Sequence, residues 1–315
     1  MGDADLEEIA ALQREFVWLL HEEVNVTLEQ LQGIILECSK RFPLSFPGVE
    51  NSVKSEKFFM TGCSSSTPDQ MKVVVTLAAD NISHADINLR IPKHSMPNHR
   101  TIVQNDCQWK LQQVQDAGNH LIQALNLLTP CSTSGQFEFQ SAEEVTQMMS
   151  TVMGCLQRGR ACLIIPKKRT IDEIMKSRNM KSSLQPPLPN DVAVSFYVQA
   201  HKPIFAVYHI QKDSHGQVKF DVFQAETSVP WLSEVLVLFT VALQLCQQLK
   251  DKIGVFSQYK DFHIPLWTEV DHTVALNVKN GRQLVTNSGW ILKTLNGMLR
   301  IMSAALHSLA CYILC

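Results

Sequence analysis

The sequence predicts an α+β protein: an elongated antiparallel helical bundle of about four long helices plus an antiparallel β-sheet domain, both discontinuous along the chain. Two patterns predict it. Apolar residues recur every three to four positions in four separate stretches, the spacing of a buried helix face. Two regions between them, 58–91 and 192–225, alternate apolar and polar residues and are rich in β-branched and aromatic side chains, as half-buried strands are. On this reading residues 1–45, 101–182 and 227–258 build the bundle. Residues 55–95 and 190–226 build the β domain, and 260–315 form a divergent C-terminal extension.

The first helix starts at Asp5, with Glu8 three positions on, and runs without proline to Arg41. Val17, Leu20, Val24, Thr27, Leu31, Ile34 and Cys38 mark its buried stripe, with Phe16, Leu28 and Ile35 alongside. "FPLSFPGVENS" is a linker, and "EKFFMTG" a short strand. Lys72–Leu77 and Ala85–Ile91 read as two strands about an Asp-Asn turn. Helix spacing returns at 104–128, where Leu111, Val114, Gly118, Leu121, Leu125 and Leu128 form a seam and glutamines fill much of the outer face. Ser141 and Glu144 form a capping box for the next helix, closed by Pro166, and Thr170 with Glu173 cap a shorter one. Residues 192–200, 203–211 and 218–225 then read as a meander, with turns at His201-Lys202 and Asp213–Gly216.

The most apolar long interior stretch is "VPWLSEVLVLFTVALQLCQQLKDKIGVFSQY", residues 229–259. It is free of charge only from Val235 to Leu249, and Gln244, Gln247 and Gln248 interrupt that run. A membrane span needs about 20 apolar residues and leaves no partners for amides in lipid. A heptad seam fits better: Leu232, Val235, Phe239, Ala242, Cys246, Leu249, Ile253 and Phe256. Leu236, Leu238, Leu243 and Leu245 widen it on both sides, which places this helix inside the protein's own core.

Composition is that of a globular protein, 45% hydrophobic and 18% charged, with net charge −2. That balance gives no general attraction to nucleic acid or anionic membranes. The nine cysteines are scattered and never spaced as C-x-x-C, which fits a reduced cytoplasmic chain with no disulfide framework. The acidic, amphipathic start is no signal peptide. Asn25-Val-Thr27 and Asn81-Ile-Ser83 match the glycosylation sequon but carry no meaning without secretion.

No phosphate loop, nucleophile elbow or zinc-protease motif occurs, and no catalytic, cofactor-binding or metal site is assigned. His94 and His99 sit in a proline-containing loop without cysteine nearby, short of the three or four converging ligands that zinc needs. One electrostatic feature stands out. Arg158, Arg160, Lys167, Lys168, Arg169, Lys176, Arg178 and Lys181 face only Asp172 and Glu173, so eight minus two leaves +6 locally. Solvated helix ends account for such a tract; the functional alternative is a docking patch for an acidic partner or an anionic membrane surface. Nucleic acid is disfavoured, because no aromatics interleave with the cations.

"QWKLQQVQDAGNHLIQALNLL" (108–128) and "PWLSEVLVLFTVALQLCQQLKDKIGVFSQY" (230–259) resemble helices of the Rogdi leucine-zipper family, and "EFVWLLHEEV" (15–24) and "ADINLRIP" (85–92) extend the match in order. The resemblance covers about residues 10–259. It implies a helical bundle plus an antiparallel β domain, and likeness to the small subunit of the RAVE assembly complex. The function it implies is that of a non-enzymatic adaptor without cofactors, monomeric on its own. Its partners would be WD-repeat scaffold proteins and peripheral-sector subunits of the V-ATPase, whose assembly it would promote. The implied setting is cytoplasmic, with synaptic or other vesicles and the nuclear envelope as places of peripheral association. A homodimerising zipper-type regulator is the competing reading. The resemblance stops at Tyr259. Beyond it "HTVALNVKNGRQLVTN" has the pattern of a hairpin about Asn280-Gly281, and the uncharged run Ile301–Cys315 is shorter than a membrane span.

Overall fold

The computed structural model describes residues 3–42, 55–62, 71–91, 97–104, 109–129, 137–176, 183–212 and 218–256. The hairpin expected about Asn280-Gly281, the uncharged tail and the turn at 213–216 lie outside them. Strands β1 (Ser55–Gly62), β2 (Met71–Ala78), β3 (Asn81–Arg90), β4 (Asn98–Val103), β5 (Trp109–Lys110), β6 (Leu184–Gln185), β7 (Val192–Gln199), β8 (Lys202–Lys212) and β9 (Val218–Glu226) form one antiparallel sheet. Its order is β6-β4-β3-β2-β1-β9-β8-β7, with β5 paired to β3. The two halves join where β1 meets β9, at Thr61–Glu226 and Gly62–Ala225. The helices are α1 (Asp3–Trp18), α2 (Val24–Ser39), α3 (Gln112–Leu127), α4 (Ala142–Ile164), α5 (Ile171–Lys176) and α6 (Pro230–Phe256).

The expected fold class, a bundle of four long helices beside a separate sheet domain, is corrected by this architecture. The protein is a mixed α/β fold organised on one large curled antiparallel sheet. Across the curl, inward-facing Phe196 of β7 packs on Phe205 of β8, the rings tilted with centroids 4.7 Å apart. Phe196 also meets Trp109 of β5, from the other half of the sheet, at 5.2 Å. Met71, Val73, Val75 and Leu77 of β2 and Ile82, Ala85, Ile87 and Leu89 of β3 fill the same interior. Two of the helices also depart from what periodicity suggests. A π turn, Leu19–Glu23, interrupts the first one. One extra residue in a turn rotates everything beyond it. The buried stripe is therefore Phe16, Leu19, Leu20, Val24, Leu28, Leu31, Ile35 and Cys38, while Val17, Thr27 and Ile34 are half-buried. The helix expected from residue 104 begins only at Gln112, because Trp109 and Lys110 are spent on β5. Strand β4 was read as loop and helix start; its pattern is too short and polar to announce itself.

Local signals that carry a mechanism hold at residue level. Ser141 Oγ accepts from the Glu144 N–H at 3.3 Å, and the Glu144 carboxylate accepts from the Gln140 N–H at 2.9 Å. Thr170 and Glu173 exchange the reciprocal pair of a full capping box, at 3.3 and 2.8 Å. The β7–β8 turn is Ala200-His201, not His201-Lys202. Ala200 sits at φ 58, the left-handed region where a Cβ is crowded. Ala200→Gly is expected to raise stability by about 0.5–1 kcal/mol, the steric relief exceeding the added backbone entropy of glycine. Thermal unfolding of the two chains checks this.

Helix α6 is the centre of the helical layer, packed on α2 and α4, while α3 packs on α4 and α2. By length and composition alone it could cross a bilayer. In this fold Leu232, Val235, Phe239, Ala242, Cys246, Leu249 and Ile253 are buried and Phe256 is half-buried. It is not enclosed all round: Val237 and Val255 are exposed and Leu236, Leu238, Leu243 and Leu245 half-buried, so it covers the layer from one side. Its antiparallel match to the N-terminal helices is set by side-chain pairs at both ends. Phe256 stacks on Phe16 at 5.6 Å, and Lys252 pairs with Glu23. At the other end Trp231 meets Phe42 edge-on at 6.2 Å and Glu234 pairs with Arg41 at 3.1 Å.

Candidate functional site

Two carboxamides bond backbone groups of chain-distant elements. Gln113 opens α3 and is buried, although glutamines here were expected on the outer face. Strand β7 ends the sheet, so its outer edge has backbone groups to satisfy. Gln113 Oε1 accepts from the Val198 N–H at 2.9 Å, and its Nε2 donates to the Val198 carbonyl at 2.9 Å, a side chain acting as a ladder rung. The same Nε2 donates to the carbonyls of Cys162 and Ile165, at 2.8 and 3.0 Å, at the end of α4, where helix carbonyls lack intrahelical partners. Beside it the Ala200 N–H donates to the Leu163 carbonyl at 2.8 Å. Asn25 repeats the device: it exchanges two 3.0 Å bonds with the backbone of Phe137 and donates to His21 in the π turn at 2.8 Å. Asn25 is the acceptor of the first sequon, and its amide nitrogen is committed to these bonds. Sequence reasoning missed both clamps: Gln113 lies beside the apolar seam among Gln112 and Gln115, and nothing local sets it apart from them.

The described residues of the basic tract have different surroundings. Arg158 Nη2 donates to Cys155 Sγ at 3.4 Å, while the half-buried Arg160 has a buried Nε with no hydrogen-bond partner. Lys167 pairs with Asp116 of α3 at 2.6 Å, and Gln112 donates to the same carboxylate at 2.8 Å. Lys168 lies over the Tyr197 ring, 5.6 Å from its centroid. There it borders a second hydrophobic cluster, on the outer face of β7 and β8, made of Ala193, Tyr197, Ile204, Ala206 and Tyr208 under Ile174 of α5. Arg169 and Lys176 are exposed, and Arg178 and Lys181 lie outside the described residues. Two of the tract's cations are thus engaged within the fold: Lys167 ties the segment after α4 to α3, and Lys168 lies on β7.

The Lys167 ammonium, with Gln112, holds the Asp116 carboxyl below its usual range. A carboxylate with a depressed folded pKa contributes stability that is complete above the unfolded value of about 3.9 and lost as pH falls through the folded one. Side-chain exposures of 53% for Lys167 and 28% for Asp116 keep the contribution small. Asp116→Asn is therefore expected to cost under about 1 kcal/mol at neutral pH and nothing near about pH 2, measured by urea unfolding at both. Among the described residues no group of three or more His, Cys, Asp or Glu side chains converges as a metal site would require. The described cysteines, Cys38, Cys155, Cys162 and Cys246, are placed as packing groups. Burial pushes the thiols of Cys38 and Cys246 up to about 12 and raises Cys162 as well.

Comparison with known proteins covers most of the chain. A family profile described as "Rogdi leucine zipper containing protein" matches residues 15–220. The chain is 48% identical over 265 residues to "Protein rogdi" of Drosophila melanogaster, covering 84% of this chain and 95% of that protein. It is 40% identical over 288 residues to "Protein rogdi homolog" of Danio rerio, covering 83% and 99%. It is likewise 40% identical over 278 residues to "Protein rogdi homolog" of Homo sapiens, covering 80% and 94%.

Proposed function

We propose, from the premise that this chain belongs to the Rogdi leucine-zipper family, that it is a non-enzymatic adaptor subunit of a RAVE-like complex promoting V-ATPase assembly. It would hold WD-repeat scaffold proteins and peripheral-sector subunits of the pump together, and so support acidification of organelles, synaptic vesicles among them. The setting is cytoplasmic, with peripheral association at vesicles and the nuclear envelope. The observation that carries this reading is the 48% identity over 84% of the chain to a Rogdi protein, joined to the adaptor role that the family's likeness to the RAVE small subunit implies.

The chemistry of the described residues supports an adaptor. Thiols raised to about 12 are the reverse of activated nucleophiles. Asp86, Asp116 and Lys167 owe their shifts to hydrogen-bonded ion pairs at the surface. Gln113 and Asn25 spend their polarity on backbone. An adaptor works through buried interface and raised effective concentration, and rigid, cross-braced surfaces serve that purpose. The test is affinity capture of the tagged full chain from cells, with mass spectrometry. The expected result is co-recovery of WD-repeat scaffold proteins and V-ATPase peripheral subunits, with slower vesicle reacidification after its removal. Absence of both kinds of partner would sink the proposal.

A further inference from the structure

The outer face of the first half-sheet carries charge and apolar groups in ordered rows. Registers across β1, β2, β3 and β4 place Phe59 beside Val74, Val74 beside Asp86 and Asp86 beside Ile102. The row on one side is Thr61, Lys72, Asn88 and Arg100, and on the other Lys57, Thr76 and His84. Arg90 lies one step beyond, opposite Asn98. Alternation turns all these side chains away from the sheet interior, where Met60, Val73, Val75, Ile87 and Leu89 are buried. Phe59 is 71% exposed and Ile102 40%. Lys57, Lys72, Arg90 and Arg100 are exposed too; Lys72 has a partner of its own, and the one carboxylate among them, Asp86, is taken by Arg100 at 2.9 and 3.2 Å. Four cations less one carboxylate leave +3 on this face, in a chain that totals −2.

We propose that this face of β1–β4 docks on an anionic lipid bilayer, its cations on headgroups and Phe59 and Ile102 inserted between them. The arrangement favours a surface over a peptide. The cations belong to four different strands, three inter-strand steps or about 14 Å across, whereas an extended acidic peptide offers charge along one line. A membrane offers it over an area. Phe59, Val74 and Ile102 sit in the row between the cations, where Asp86 is neutralised by Arg100, so insertion and headgroup contact happen together, the combination that interfacial binding requires. The face is separate from the basic tract of residues 158–181, and the proposal does not rest on the adaptor reading.

The test is co-sedimentation of the full-length chain with phosphatidylcholine vesicles, with and without about 30% phosphatidylserine. Binding is expected only with the anionic lipid and should weaken as salt rises. Lys57→Glu with Arg90→Glu should lower partitioning at least about tenfold, and Phe59→Ser about tenfold. Lys57→Arg with Lys72→Arg should retain binding, which separates charge from folding, as should Lys168→Glu with Arg169→Glu in the other tract. Unchanged sedimentation of the charge-reversed face overturns the proposal. So does capture of soluble polyglutamate or single-stranded RNA without retention on vesicles.

Discussion

Replacing Gln113 with leucine is expected to destabilise the protein by about 3–5 kcal/mol, although the side chains are similar in size. Gln113 accepts from the Val198 N–H and shares its two amide hydrogens among the carbonyls of Val198, Cys162 and Ile165. Leucine removes these bonds together and leaves the backbone of Val198 without this partner on a buried strand edge. Each buried polar group so abandoned costs about 1–3 kcal/mol, well above the net value of a bond exchanged with water. Gln113→Glu should be worse at neutral pH, since a carboxylate would face three carbonyl oxygens. It should recover partly in acid, where the protonated group can donate one bond. Urea unfolding of the three chains at neutral and acidic pH measures both effects. A cost below about 1 kcal/mol for leucine would show that water replaces the amide.

Phe239→Ala in the middle of α6 is expected to cost about 3–5 kcal/mol, because the ring is 1% exposed and its removal leaves a cavity in the helical layer. The ring owes its seat to Gly159. A Cβ built there would lie 3.0 Å from Cε1 and Cζ of Phe239 and 3.3 Å from Cβ of His120. The absence of one side chain on α4 thus lets α6 and α3 approach together. Gly159→Ala is accordingly expected to cost about 1–2 kcal/mol, despite alanine's better helix propensity. In a Phe239→Leu background the same substitution should be nearly neutral, since the smaller side chain clears the new methyl. The double-mutant cycle measures this coupling, and strict additivity would count against the contact.

How much of this was legible follows from the range of each signal. Capping boxes at Ser141 and Thr170 are completed within four residues, so they could be read from sequence. The seam of α6 was legible too, because seven residues repeat one period without interruption. What failed depends on distant partners. Nothing near residues 109 and 110 says that they will pair with Asn81 and Ile82, and that pairing delays α3 to Gln112. The π turn at Leu19–Glu23 keeps an acceptable helical pattern while rotating the stripe after it. The curl of the sheet brings Phe196 to Trp109, and an alternating strand looks the same whether its sheet is flat or curled. For the basic tract, sequence gave eight like charges, but only the fold shows Lys167 taken by Asp116 and Lys168 by Tyr197.

The pairing of the two chain-distant helical segments has a consequence for biosynthesis. Glu23 and Lys252 are 229 residues apart, and Phe16 stacks on Phe256 from the same two elements. At about 5–20 residues per second, translation separates their appearance by roughly 10–45 s. Throughout that interval the apolar stripe of the first helices is outside the ribosome while its covering helix has yet to be made. Contacts this distant cannot lower the free energy until the intervening chain exists, so the helical layer closes late in synthesis. A ribosome stalled before α6 would therefore display Phe16, Leu20, Val24 and Leu28 to the chaperones waiting at the exit tunnel.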